Sequence, residues 1–369
     1  MTETPGKAHR NNFGFFRLLF AYAVIVSHSP QMLDGNPARE PLMALGLNAN
    51  FGGLAVDGFF IISGYLIASS YLSSRSLLKF LTSRILRIYP AFLVACLICI
   101  FIVAPIGGGT LGPLGPRDWL ISLGRTLLLM PPSVPNALHT LPIPALNGSM
   151  WTIRYEFRCY LLVALLGVIG LLDRRRIILL LTVLVYGLAV LVSLVGFPDI
   201  PQGRLHQLIF GGIGDPAQIF QLTAIFMSGV CARLYRDKIK FRPAFGLLSA
   251  ILLVGALFLR APLPELAVGT VGAYVLLWAA VDLKSNFLQS INNSYDFSYG
   301  VYLYAWPVAS LMILASQSLK FGLSPVLLTG ITAMLSTVVA CASWYFIEKP
   351  TLELKLKRSK ALQLELPAN

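Results

Sequence analysis

Apolar runs of about twenty residues recur along this chain, and they leave it few folds to choose from. A soluble core cannot hide them, because 56% of the 369 residues are hydrophobic and only 12% are charged. Inside a bilayer the backbone must satisfy its own hydrogen bonds, so such runs become helices. None shows the two-residue alternation of a barrel strand. The chain therefore reads as all-α, a polytopic membrane protein of about ten transmembrane helices. The expected spans are 13–31, 53–72, 88–106, 149–172, 177–196, 217–236, 244–261, 265–282, 297–316 and 325–347. The apolar stretch 118–130 is too short to cross and is expected to lie in the interface.

Basic residues set the expected orientation. Of 29 Lys and Arg, 20 fall in the connections on one side and six in those on the other; Arg17, Arg154 and Arg158 lie within spans. Both termini are then cytoplasmic. The chain divides into a cytoplasmic segment 1–12, a membrane domain 13–348 and a basic cytoplasmic tail 349–369. A net charge of +13 would suggest nucleic acid in a soluble protein. Here it reports the side of the bilayer, and no nucleic-acid partner is expected. Residues 1–12 are polar and the first apolar run continues as a span, so no cleavable signal is expected. Cys96, Cys99, Cys159, Cys231 and Cys341 all sit in apolar runs and read as core residues, with no disulfide or metal framework. No internal repeat is visible, which disfavours the inverted-repeat transporters. The outer connections 107–148 and 197–216 are long and rich in Pro and Gly, as recognition loops often are.

Ionisable residues inside the spans carry the functional reading, because charge in a membrane segment is costly and usually faces a protein interior. Arg17 and His28 are eleven residues apart, three turns plus roughly 20°, so one helix face presents both, separated by roughly 16 Å. Ala21 and Val24 lie between them and make that face a shallow groove. Asp57 stands at the outer end of the second span, with Gly64 and Ala68 following on a face that permits close helix approach. Arg84 and Arg87 share a face ahead of Pro90, read as a helix start. In the fourth span Trp151, Arg154, Tyr155 and Arg158 share one face, and Glu156 points elsewhere. The ninth contributes Tyr295, Tyr299 and Tyr302, and Pro307 to kink it. Glu348, at the end of the tenth, is placed to pair with Arg84 or Arg87. Sorted by depth, Arg17, Arg84, Arg87 and Glu348 lie low, and His28, Asp57, Arg154 and Glu156 lie high.

With these residues in order, the chain resembles the integral-membrane acyltransferase family 3, bacterial O-acyltransferases of polysaccharides, lipopolysaccharide and related glycans. The likeness covers nearly the whole chain. It rests on Arg17 with His28, on GGLAVDGFFIISGYLI, SRILRIYP and WTIRYE, and on SYGVYLYAWP followed by FIEKP. It departs at Ala305, where many members carry a histidine. The resemblance implies acyl transfer from cytoplasmic acyl-CoA, usually acetyl-CoA, to a sugar hydroxyl at the outer face of the bacterial inner membrane, with Arg17 and His28 essential. Arg17, Arg84, Arg87, Tyr299 and Tyr302 are then expected to hold the donor, with its arm along the Ala21–Val24 groove. His28 is suited to take the hydroxyl proton, or to carry the acyl group itself. Arg154 or the Trp151 indole is expected to stabilise the oxyanion, and Asp57 and Glu156 complete the candidate catalytic set. A transporter of a sugar or lipid-linked glycan is the alternative.

Overall fold

The structure, a computed structural model, describes residues 11–112, 115–196, 214–293 and 295–354. Most of the N-terminal segment, the tail beyond 354 and nearly all of the 197–216 connection lie outside the described residues. Those described form helices and connections, with no strand among them. Among the described residues eight helices are long and apolar enough to cross a bilayer: α1 (Phe13–Asp34), α2 (Phe51–Ser74), α3 (Leu77–Ile106), α6 (Arg175–Val195), α7 (Pro216–Leu234), α9 (Leu263–Asp282), α10 (Ser298–Leu319) and α11 (Pro325–Leu354). Three more have 12 to 16 residues: α4 (Pro116–Leu127), α5 (Ile153–Val168) and α8 (Pro243–Ala256). This is a multi-pass, all-α membrane protein.

Local chemistry sets the helix ends. The Asn50 side chain accepts the Gly53 N–H at 2.7 Å to open α2, and Asp215 accepts from Ala217 to open α7. Gly35, at φ +76°, closes α1 in the left-handed conformation. Two expected spans come out short. The fourth begins as a 3-10 turn, Gly148–Thr152, and its α-helix has only 16 residues before Gly170 turns the chain at φ +73°. Gly148 lies so close to the Trp306 ring that a Cβ there would meet it at 2.5 Å, so this turn is shaped by the indole. The seventh, α8, has 14 residues. The third is longer than expected. Ser76 caps α3 by accepting from Lys79, so Pro90 falls inside the helix instead of opening it, and Arg84 and Arg87 sit on a continuous turn.

The packing is centred on α2 and α10, whose most apolar windows are 61% and 67% buried; the same window of α6 is only 11% buried and faces outward. α2 and α7 make the closest pair. A Cβ on Gly64 would meet the Phe226 carbonyl oxygen at 2.0 Å, and one on Gly229 would meet that of Ile61 at 2.0 Å. Bare backbone on both sides lets the helices touch. The Gly64 face was legible in the sequence; its partner was not. α1 lies against α2, α10 and α11.

The 107–148 connection is more than a link. Leu129, Leu138 and Leu146 are buried in it. Its end docks on α10 because Pro307 has no N–H to give Leu303, four residues back. Asn147 supplies the missing donor, its Nδ2 reaching the Leu303 carbonyl at 2.7 Å, while the Trp306 Nε1–H donates to the Ala145 carbonyl at 2.8 Å. Helix α4 lies apart, with Trp119 stacked on Phe101 at 5.7 Å and only Thr126 buried, as an interfacial helix requires.

Candidate active site

Arg17 and His28 both face the α10 segment. Arg17 pairs with Asp296, just ahead of α10, and the His28 ring meets Trp306 edge-on at 5.1 Å. Low residue meets low and high meets high, so α1 and α10 run in the same direction. The shared face of α1 is therefore a packed one. Ala21, wholly buried, packs in a cluster with Ile25, Val301, Ala305 and Ala340. This corrects one expectation: at Ala21 the groove is filled by side chains, and only its Val24 end opens, toward the space beside His28.

Space lies instead between α1, α2, α3, α5 and α10, in a cleft of about 760 Å³ measured to its open mouth. Arg17, Arg84, Arg87, Ser63, Glu156, Tyr160, Tyr299 and Tyr302 line it. Behind the arginines runs a chain of charges. Asp296 takes both Arg17 and Arg87, and Arg87 also reaches Glu348 at 3.1 Å. Burial alone would raise the Asp296 carboxyl, but Arg17 and Arg87 overcome it and hold the group below the usual carboxylate range. The Arg87 guanidinium also lies 5.6 Å from the centre of the Tyr299 ring. Two cations and two anions cancel, so neither Arg17 nor Arg87 is a free charge. Arg84 is different. It makes no ion pair among the described residues; its closest side-chain partner is Ser70 at 3.5 Å, and its Nε is buried without one.

Glu156 faces this cleft, on the level of the arginines and not of His28. Its Oε1 accepts from Ser63 Oγ at 2.8 Å and from Tyr160 Oη at 2.6 Å. The expected layer of Glu156 with His28, Asp57 and Arg154 is not what the fold builds. Asp57 is 7% exposed on another flank of α2, electrostatically nearest to Glu265, and does not reach His28. Trp151 packs edge-on against Tyr155, and Arg154 binds the Tyr155 hydroxyl at 3.0 Å and covers its ring. Neither lines the cleft or the space beside His28.

That second space is much narrower, with room for about one water molecule, and is walled by Val24, Met32, Ser149, Ala305, Trp306 and Thr332 among others. Neither imidazole nitrogen of His28 has a hydrogen-bond partner among the described residues. Ala305 lines the same space with a single methyl. One hydrogen-bonded group links the lining of the cleft to that of the His28 space. Tyr302 Oη lies 2.7 Å from Thr152 Oγ1 and donates to the Ser149 carbonyl at 2.5 Å. Tyr302 and Thr152 line the cleft, and Ser149 lines the His28 cavity.

A family model described as an acyltransferase domain matches residues 10–345. The chain belongs to the integral-membrane acyltransferase family 3. It is an enzyme that transfers acyl groups. Two relatives match end to end. An O-acetyl transferase of Shigella phage Sf6 is 27% identical over 346 residues, covering 92% of this chain and 96% of that protein. Nodulation protein 10 of Rhizobium leguminosarum bv. viciae is 26% identical over 371 residues, covering 94% of each. No solved structure matches the chain.

Of the residues singled out in the sequence, Arg17, Arg84, Arg87, Glu156, Tyr299 and Tyr302 come together around the cleft and His28 lines the second space; Asp296, Ser63, Thr152, Tyr160, Ser149 and Thr332, which stand beside them, were not singled out. Tyr160 follows Glu156 by four residues and was within reach of a helical-spacing argument. Asp296 sits at the mouth of the tyrosine-rich span, a position that attracts less notice than a charge inside one.

Proposed function

We propose that this enzyme moves an acyl group, acetyl in the simplest case, from cytoplasmic acyl-CoA to a hydroxyl of a cell-surface or lipid-linked glycan at the outer side of the bacterial inner membrane. The observation that carries the reading is the shared wall. The cleft with the unpaired Arg84 and the cavity with the unpartnered His28 adjoin across Tyr302. Acetyl-CoA needs a cationic mouth for its phosphates and a slim route inward; a sugar hydroxyl needs a base. Arg84 provides the cation, with the Arg17–Asp296–Arg87–Glu348 chain holding the mouth in shape. The pantetheine arm runs up the cleft, and Tyr302 must swing aside for the thioester to pass. His28 then accepts the acceptor hydroxyl's proton as its oxygen attacks the thioester carbon, and the CoA thiol leaves with that proton. The family and the O-acetyl transferase relative support the reading.

The test is transfer of label from [¹⁴C]acetyl-CoA to lipid-linked glycan by the purified protein in detergent. Transfer is expected, and His28→Ala should reduce it by about 10²–10⁴-fold at equal folded yield. Label that stays on CoA with every glycan offered, alongside glycan movement across sealed vesicles, points to a transporter instead.

A further inference from the structure

The small cavity beside His28 has apolar walls, and most of its polar groups are already engaged. Ser29 Oγ donates to the Ile25 carbonyl at 2.8 Å, and the Trp306 N–H is held by Ala145. The one hydroxyl here that is both wholly buried and unpartnered among the described residues belongs to Thr332 on α11. It is 1% exposed, it lines the same cavity as the imidazole, and its Oγ1 is buried without any hydrogen-bond partner. A threonine hydroxyl within a helix ordinarily bonds back to the preceding turn. Thr329 and Thr337 of this same helix do so, to Pro325 and Ala333. Thr332 does not. An orphaned buried hydroxyl stabilises nothing in the resting protein. It is a preset donor for a charge that forms there only during reaction.

We infer that Thr332 is the oxyanion donor of this enzyme, holding the thioester's carbonyl oxygen as it becomes negative. The inference rests on the acyl-transfer reading above. The acceptor oxygen bonds to the carbonyl carbon, and its proton passes to His28. The carbonyl π pair moves onto oxygen and takes the Thr332 O–H. When that pair returns, the carbon–sulfur bond breaks, and the CoA sulfur receives the proton from the imidazolium. The ester and free CoA account for every atom. Thr332 thereby takes the role that the sequence had suggested for Arg154 or Trp151, which the fold turns toward Tyr155.

The experiment compares Thr332→Val, Thr332→Ala and Thr332→Ser in the label-transfer assay with acetyl-CoA, each with a thermal unfolding curve in the same detergent. Losing the Thr332 donor should lower kcat by about 10²-fold or more in Val and Ala, with KM for acetyl-CoA unchanged. Ser should stay within about tenfold of the parent, since it keeps the donor. Val should unfold no earlier than the parent, because it replaces an unpaired hydroxyl with a methyl of the same shape. A structural role predicts the reverse: stability lost in Val and rate following stability. Val at near-parental kcat overturns the inference, and so does Ser falling as far as Val. If the parent itself transfers no label, the acyl-CoA reading has failed and this inference goes with it; parental transfer with an unaffected Val overturns the inference alone.

Discussion

Arg87 and Glu348 stand 3.1 Å apart, and the carboxylate is only 2% exposed. The other side of the same guanidinium reaches Asp296, which Arg17 also holds. These four charges join the mouths of α1, α3, α10 and α11 into one neutral unit. Of the arginines that read in the sequence as a phosphate grip, Arg17 and Arg87 are thus held in ion pairs, while Arg84 makes none among the described residues.

Alanine at 84 and at 87 should therefore fail in different ways. Arg87→Ala leaves Glu348 buried and uncompensated, which costs about 3–5 kcal/mol, so folded yield and thermal stability should drop. Arg84→Ala should fold normally and lose about ten- to a hundredfold in acetyl-CoA affinity, the worth of one charge-assisted contact of about 1.5–3 kcal/mol. Calorimetry of acetyl-CoA on both purified variants, beside their unfolding curves, measures the split. Normal donor binding by Arg84→Ala would assign the phosphates elsewhere.

The same network has a pH signature. The Asp296 carboxyl is held below its ordinary range by two guanidiniums, so the folded state takes up its proton less readily than the unfolded one. The stability this supplies is present in full above the unfolded carboxylate pKa, about 3.9. It is lost as the pH falls below that value toward the folded one. Thermal unfolding followed from pH 7 to pH 3 should show a steepening loss at the acid end, and Asp296→Asn should be less stable at pH 7 with a shallower acid limb. Parallel curves for parent and variant would mean that Asp296 is not the titrating group.

Close approach of α2 and α7 makes a third prediction. A methyl on Gly64 or Gly229 meets a backbone oxygen at 2.0 Å, which no side-chain rotation relieves. Gly64→Ala and Gly229→Ala should each cost about 1–3 kcal/mol and lower transfer, since α2 also carries Ser63 and Phe59 of the cleft. Gly187→Ala on the outward face of α6 meets nothing within 4 Å and should be neutral or slightly stabilising. Equal behaviour of the three variants in an unfolding assay would remove close packing as the reason for these glycines.

Most of the fold could be read from the chain alone, and part of the site. Span positions follow from the lengths of apolar runs, which is a local property. The common face of Arg17 and His28 follows from helix pitch, and the pairing of Glu348 with an arginine from shared depth. The errors came from a local cap left unread and from a distant contact. Pro90 reads as a helix start until Ser76 is seen capping the turns before it. The fourth span opens as a 3-10 turn against the indole of Trp306, far along the chain.

Apolar run length, helical periodicity, end caps and the placement of Lys and Arg are written within a few residues of where they act. By itself the sequence therefore determined an all-α membrane bundle with Arg17 and His28 on one face of its first helix. Which charges neutralise one another was a tertiary decision. Asp296 meets Arg17 across 279 residues and Arg87 across 209, so no local pattern announces either pair. Nor does periodicity tell a groove from a packed seam, and Ala21 became a seam because Val301 and Ala340 came to fill it. Thr332 likewise differs from Thr329 and Thr337 only in what the folded chain leaves beside its hydroxyl.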